Sequence, residues 1–116
     1  MLFEFLKEKI GREEKEHFAV LFFDTRNNLS DSIISIGSLN ASIVHPREVF
    51  NDAVLKKASH VIVAHNHPSG DPTPSAEDIN TTKRLVEAGK ILGISVSDHM
   101  IVTKNNYYSF AETCSL

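Results

Sequence analysis

His65-Asn66-His67 set two imidazoles two residues apart, and Ser75 and Asp78 follow eight and eleven residues after the second histidine. In an extended segment successive side chains alternate, so both imidazoles point the same way and can reach one ion. Asp78 can complete a set of two nitrogens and one carboxylate oxygen. Such a set suits Zn²⁺, and three protein ligands leave the fourth tetrahedral position to water, which separates a catalytic site from a closed structural one. The spacing H-x-H-x7-S-x2-D carries this reading, which a bare H-x-H would not. The same residues also fit a plainer role. Pro68 to Pro74 form a turn-rich loop, and Ser75 and Asp78 are spaced as the N-cap and third residue of a capping box.

The elements that must position these groups can be read around them. His60 to Ala64 is a short apolar run, predicted to be a buried strand that delivers His65 to its C-terminal edge. A long helix is predicted from Ser75, with Ile79, Leu85, Val86 and Leu92 on its apolar face and Gly89 and Gly93 marking its end. Upstream, Leu2, Phe3, Leu6 and Ile10 form an amphipathic helical stripe, ended by Gly11 and the charged run to Lys15. A strand apolar on both faces follows from His17 to Asp24, then a turn at Asn27-Asn28 and a more polar strand from Leu29 to Gly37. Pro46 opens a helix carrying Val49, Phe50, Ala53 and Val54 on one face and ending near Ala58. Ile94 to Thr103 and Tyr107 to Phe110 are the last strands, joined by a turn at Asn105-Asn106. The pattern is an α/β domain with a mixed β-sheet flanked by helices.

Composition narrows the function classes. At 116 residues the chain is expected to be one domain, burying roughly two-thirds of its unfolded surface. No apolar run approaches the ~20 residues that span a bilayer, and Glu4, Lys7 and Glu8 interrupt any signal-peptide core, so a cytoplasmic protein without membrane association is expected. The one cysteine, Cys114, has no internal partner and reads as a free thiol. Net charge is −3, and the only adjacent basic pairs, Lys56-Lys57 and Lys83-Arg84, lie in predicted helices. Nucleic-acid binders concentrate positive charge on one face, so no direct nucleic-acid binding is expected. No histidine is followed by glutamate, which excludes H-E-x-x-H proteases, and a single cysteine cannot supply the pair that zinc deaminases use. The contiguity of His65-Asn66-His67 argues against an HNH nuclease, whose three residues are spread over a ββα unit.

The motif resembles the JAMM motif of the JAB/MPN metalloprotease superfamily, and the stretch AHNHPSGDPTPSAED from Ala64 to Asp78 resembles its RadC-like branch. HPREVF at His45 to Phe50, LVEAGKILGI at Leu85 to Ile94 and DHMIV at Asp98 to Val102 extend the likeness over nearly the whole chain. The resemblance implies a single JAB/MPN-like (cytidine-deaminase-like) domain over residues 1–116. Related chains carry a preceding helical region with a helix-hairpin-helix, so the chain can be the C-terminal part of a longer protein. It further implies zinc held by His65, His67 and Asp78, Ser75 beside the reacting carbonyl, and an upstream glutamate as general acid/base. In the family that glutamate immediately precedes a hydrophobic strand, which selects Glu16, with Glu14 the alternative. His45 and His99 resemble branch positions but read as structural rather than ligating, and His17 and His60, at strand starts, as structural or solvent-facing. Two functions follow: a zinc metallopeptidase or isopeptidase acting on a peptide or protein substrate, or a noncatalytic module of the same fold associated with DNA repair or recombination.

Overall fold

The computed structural model describes residues 2–37 and 44–116. Five strands form one mixed sheet in the order β2-β1-β3-β4-β5, with β1 His17–Phe23, β2 Leu29–Ile36, β3 His60–Asn66, β4 Ser95–Val102 and β5 Tyr107–Ser109. The β3–β4 pair is parallel and the others antiparallel. The helices are α1 (Leu2–Leu6), which runs on into a π-helical turn over Lys7–Gly11, α2 (Pro46–Leu55) and α3 (Ala76–Leu92). This is the α/β architecture expected, with helices on both faces of the sheet.

Strand alternation divides the core into two layers. Phe18, Val20 and Phe22 of β1 and Val61 and Val63 of β3 pack with Val49, Phe50 and Ala53 of α2 and Leu85 of α3. Their neighbours Ala19, Leu21, Phe23 and Ala64 turn the other way, against Leu6 and Ile10. Every residue of β1 is buried, as its unbroken apolar run predicts. β2 lies at the sheet edge and leaves Leu29, Ile34 and Ile36 exposed, which accounts for its serines and its partial alternation. At roughly 1.5–3 kcal/mol for each large apolar side chain buried, the two layers anchor β1 and β3 from both faces.

Three local expectations change. The N-terminal helix keeps its apolar stripe, with Leu6 and Ile10 fully buried, but widens into a π turn and ends at Gly11, where a Cβ would come 2.9 Å from the Thr103 carbonyl oxygen. α2 stops at Leu55 instead of near Ala58, because Lys57 adopts a left-handed conformation (φ 54°) that turns the chain toward β3, and Val54 is left exposed. In α3 the face assigned from apolar residues holds only in part: Leu85 is buried and Val86 packs against the core. Ile79 and Leu92 are exposed, and the buried stripe is Asp78, Thr81, Thr82, Leu85 and Gly89. These residues keep the i, i+3, i+4, i+7 spacing of one helix face, yet only Leu85 is strongly apolar. Gly89 is therefore an interior residue, and it is Gly93, at φ 74°, that caps the helix.

Candidate metal centre

β3 runs two residues further than the apolar run suggests and includes His65 and Asn66. His65 lies on the face toward α3, with Val61 and Val63 at its parity. The His67 backbone donates to the Val102 carbonyl, which continues the pairing with β4 and holds the second imidazole at the sheet end. From there the chain turns through Pro68–Pro74 and enters α3 at Ser75. The Ser75 hydroxyl accepts from the Asp78 backbone N–H (3.1 Å), and the Ser75 N–H donates to Asp78 Oδ2 (2.8 Å), completing a capping box. The cap aims the Asp78 carboxylate back at the histidines. His65 Nε2 lies 3.2 Å from Asp78 Oδ1, His67 Nε2 lies 3.3 Å from Asp78 Oδ2, and the two Nε2 atoms are 3.1 Å apart. One ligand atom from each residue thus falls within 4.8 Å of the others, a group that could hold a metal ion.

The outer contacts leave the right atoms available. His67 Nδ1 lies 2.9 Å from the Asp71 carbonyl oxygen, which can only accept, so Nδ1 carries the proton and Nε2 offers a lone pair in the neutral ring. His65 Nδ1 lies 2.8 Å from Nε2 of His99. Burial works to raise the Asp78 pKa, but the hydrogen-bonding groups of His65, His67 and the Ser75 N–H outweigh it and hold this carboxyl far below the ordinary range. The contact with Asp78 raises His67 above the usual imidazole value against the effect of burial, with smaller contributions from the Asp71 carbonyl and the charges of Asp78 and Glu16. His99, fully buried, is held well below that value, chiefly by desolvation and then by the neighbouring His65.

Glu16 is exposed and sits one residue before β1, whose Phe18 pairs with His65. That pair is the last of the β1–β3 ladder, and just beyond it the Glu16 charge acts on His67. Asn66 fixes this segment from the face opposite His65. Its buried amide accepts from the His17 N–H (2.5 Å) and donates to the carbonyls of Glu13 (3.2 Å) and Lys15 (3.0 Å). The residue between the two histidines therefore ties the glutamate-bearing segment to the ligand strand. The geometry brings His65, His67 and Asp78 together and carries Ser75 on the same turn as Asp78, and the Glu16 charge acts on His67.

The remaining histidines separate clearly. His45 caps α2, its Nδ1 accepting from the Arg47 N–H (3.1 Å), His60 pairs with Asn27 Oδ1 (2.8 Å) and stacks on Phe23, and His17 lies beside the Lys15 carbonyl. His99 lies outside the His65–His67–Asp78 group but against His65, a contact that pattern alone does not give, and neither does it give the site contacts of Thr82 and Asn66. Thr82 carried one usable signal, its i+4 spacing from Asp78 on the same helix face.

An α/β domain with helices on both sheet faces carries, at the end of β3 and the first turn of α3, a His-x-His pair and a carboxylate that could hold a metal ion. The RadC-like JAB domain family matches residues 1–115, and the chain belongs to that family. It is similar to UPF0758 proteins of Methanococcoides burtonii (58% identical over 100 residues, 85% of this chain and 44% of that protein) and Alkaliphilus oremlandii (56% over 108 residues, 92% and 47%). A UPF0758 protein of Methanosarcina mazei is 52% identical over 105 residues, 90% of this chain and 46% of its own. The chain thus spans about half the length of these curated relatives.

Proposed function

We propose that this domain is a zinc-dependent metallopeptidase or isopeptidase that acts in the cytoplasm on a peptide or protein substrate. The observation that carries the reading is the convergence of His65 Nε2, His67 Nε2 and the Asp78 carboxylate, with Nδ1 of both rings engaged elsewhere. Two imidazoles and one carboxylate are the donor set of an open catalytic zinc site. Zinc bound by these residues would supply Lewis-acid activation of a water, lowering its pKa to about 7.

The chain's own residues then carry the proton transfers. The Glu16 carboxylate takes a proton from the attacking water as its oxygen bonds to the carbonyl carbon. Glu16 returns that proton to the departing amine nitrogen as the carbon–nitrogen bond breaks, so one water is consumed and an acid and an amine are released. Ser75 Oγ uses its lone pair to accept from the Asp78 N–H and keeps its own proton to donate to the developing oxyanion. Capping and catalysis use different faces of one hydroxyl.

The test is digestion of a defined peptide library by zinc-loaded protein, with mass-spectrometric readout. Cleavage by the wild type that disappears in Glu16→Gln while zinc is retained supports the assignment. Zinc bound stoichiometrically with no cleavage of peptides or of isopeptide-linked proteins would shift the reading to a noncatalytic module of the same fold.

A further inference from the structure

We infer that Thr82 and His99 are positioning residues that fix the His65 tautomer, keeping His65 Nε2 free to bind a metal. The inference rests on the proposed metal site and adds a role for two residues outside the ligand set. The Thr82 hydroxyl lies 2.7 Å from the Asp78 carbonyl oxygen and also within hydrogen-bond reach of His99 Nδ1, and His99 Nε2 lies 2.8 Å from His65 Nδ1. A carbonyl can only accept, so the single Thr82 proton is used on Asp78, and toward His99 the hydroxyl can only accept. His99 Nδ1 must therefore carry a proton. A second proton on Nε2 would make His99 a cation with none of its surface in contact with water, enclosed by Thr82, His65 and the Phe110 ring stacked on it at 5.1 Å. Nε2 of His99 is thus an acceptor and His65 Nδ1 the donor. With Nδ1 protonated, the only lone pair of a neutral His65 is on Nε2, the atom that faces Asp78 and His67.

The chain of bonds begins and ends at the ligand set, since Asp78 supplies both the carboxylate and the carbonyl that orients Thr82. Partners of this kind typically affect metal affinity by about 10–100-fold. Thr82→Val keeps the side-chain shape but removes both the proton and the acceptor, whereas Thr82→Ser keeps both. His99→Phe preserves the aromatic stack and removes the acceptor for His65.

Two measurements test this. Long-range proton–nitrogen NMR of metal-free protein at mildly alkaline pH reads the His99 tautomer without relying on any metal, and competition with a chromophoric chelator reads zinc affinity. Expected are an Nδ1–H tautomer of His99 in the wild type, loss of that preference in Thr82→Val, and zinc affinity lower by about 10–100-fold in Thr82→Val and His99→Phe but near wild type in Thr82→Ser. An Nε2–H tautomer of His99 would overturn the inference, because His65 would then accept at Nδ1. So would unchanged zinc affinity in folded Thr82→Val and His99→Phe. A wild type that shows the Nδ1–H tautomer yet binds no zinc would sink the metal site itself and, with it, the metal-binding role given to the relay.

Discussion

At the scale of single residues, the ligands and the acid/base should fail in different ways. One zinc ion per chain is expected by elemental analysis of protein purified without added metal, and His67→Ala should lose it; equal zinc in both would remove the assignment. Glu16→Gln should keep zinc and lose about 10²–10⁴-fold in hydrolysis, whereas Asp78→Asn should lose zinc as well, because it removes a ligand and weakens the capping box. Activity retained in Glu16→Gln but lost in Glu14→Gln would move the role to Glu14. Zinc affinity should also fall as pH falls. The metal needs neutral imidazoles, and Asp78 raises the His67 pKa, so protons compete from a higher pH than at an ordinary histidine. Once His67 is protonated, the decline should approach about tenfold per pH unit for that one proton; a flat profile down to the acid range would contradict it. His65, His67, Ser75 and Asp78 were legible in the sequence because strand alternation and helix capping are local rules. His99 and Asn66 were not, because the first meets His65 only through β3–β4 pairing and the second meets residues 13–17 only through β1–β3 pairing.

Single elements show where hydrophobic pattern was a good guide and where packing overrode it. The β1 apolar run and the Pro46 helix start follow from composition alone, and both stand. α3 forms where the pattern predicts and turns Leu85 and Val86 inward, but Ile79 and Leu92 face out, because much of the stripe it buries is polar or small: Asp78 and Thr82 serve the candidate site, and Gly89 allows a close approach. A Cβ on Gly89 would lie 2.3 Å from the Ile94 carbonyl oxygen and 3.3 Å from Phe50 Cζ. Gly89→Ala should therefore destabilise the domain by about 2–3 kcal/mol despite the better helix propensity of alanine. Gly93→Ala, which meets nothing within 4 Å and suffers only from its positive φ, should cost about 1–2 kcal/mol. Urea denaturation of both variants checks the order, and a Gly89→Ala protein as stable as the wild type would refute the close packing. Ser75→Ala combines the two scales, losing about 1 kcal/mol of capping and about 10²–10³-fold in rate.

For the molecule as a whole, a net charge of −3 and dispersed basic residues predict weak, nonspecific association with duplex DNA at ~0.15 M salt. Titration against labelled duplex checks this, and nanomolar affinity would favour the noncatalytic alternative. Among the described residues no helix is long and apolar enough to cross a membrane. The placement of the ligands also has a consequence in time. His65, His67 and Asp78 lie within 14 consecutive residues, whereas Glu16 is 49 positions before His65 and reaches it only through the β1–β3 ladder. Short loops close sooner than long ones. During refolding in the presence of zinc, metal capture should therefore precede amide protection of β1 and β3, so that a chain passes through a stage that is loaded but not yet competent. Stopped-flow zinc uptake compared with pulse-labelled hydrogen exchange would show the interval, and simultaneous appearance of the two signals would deny it.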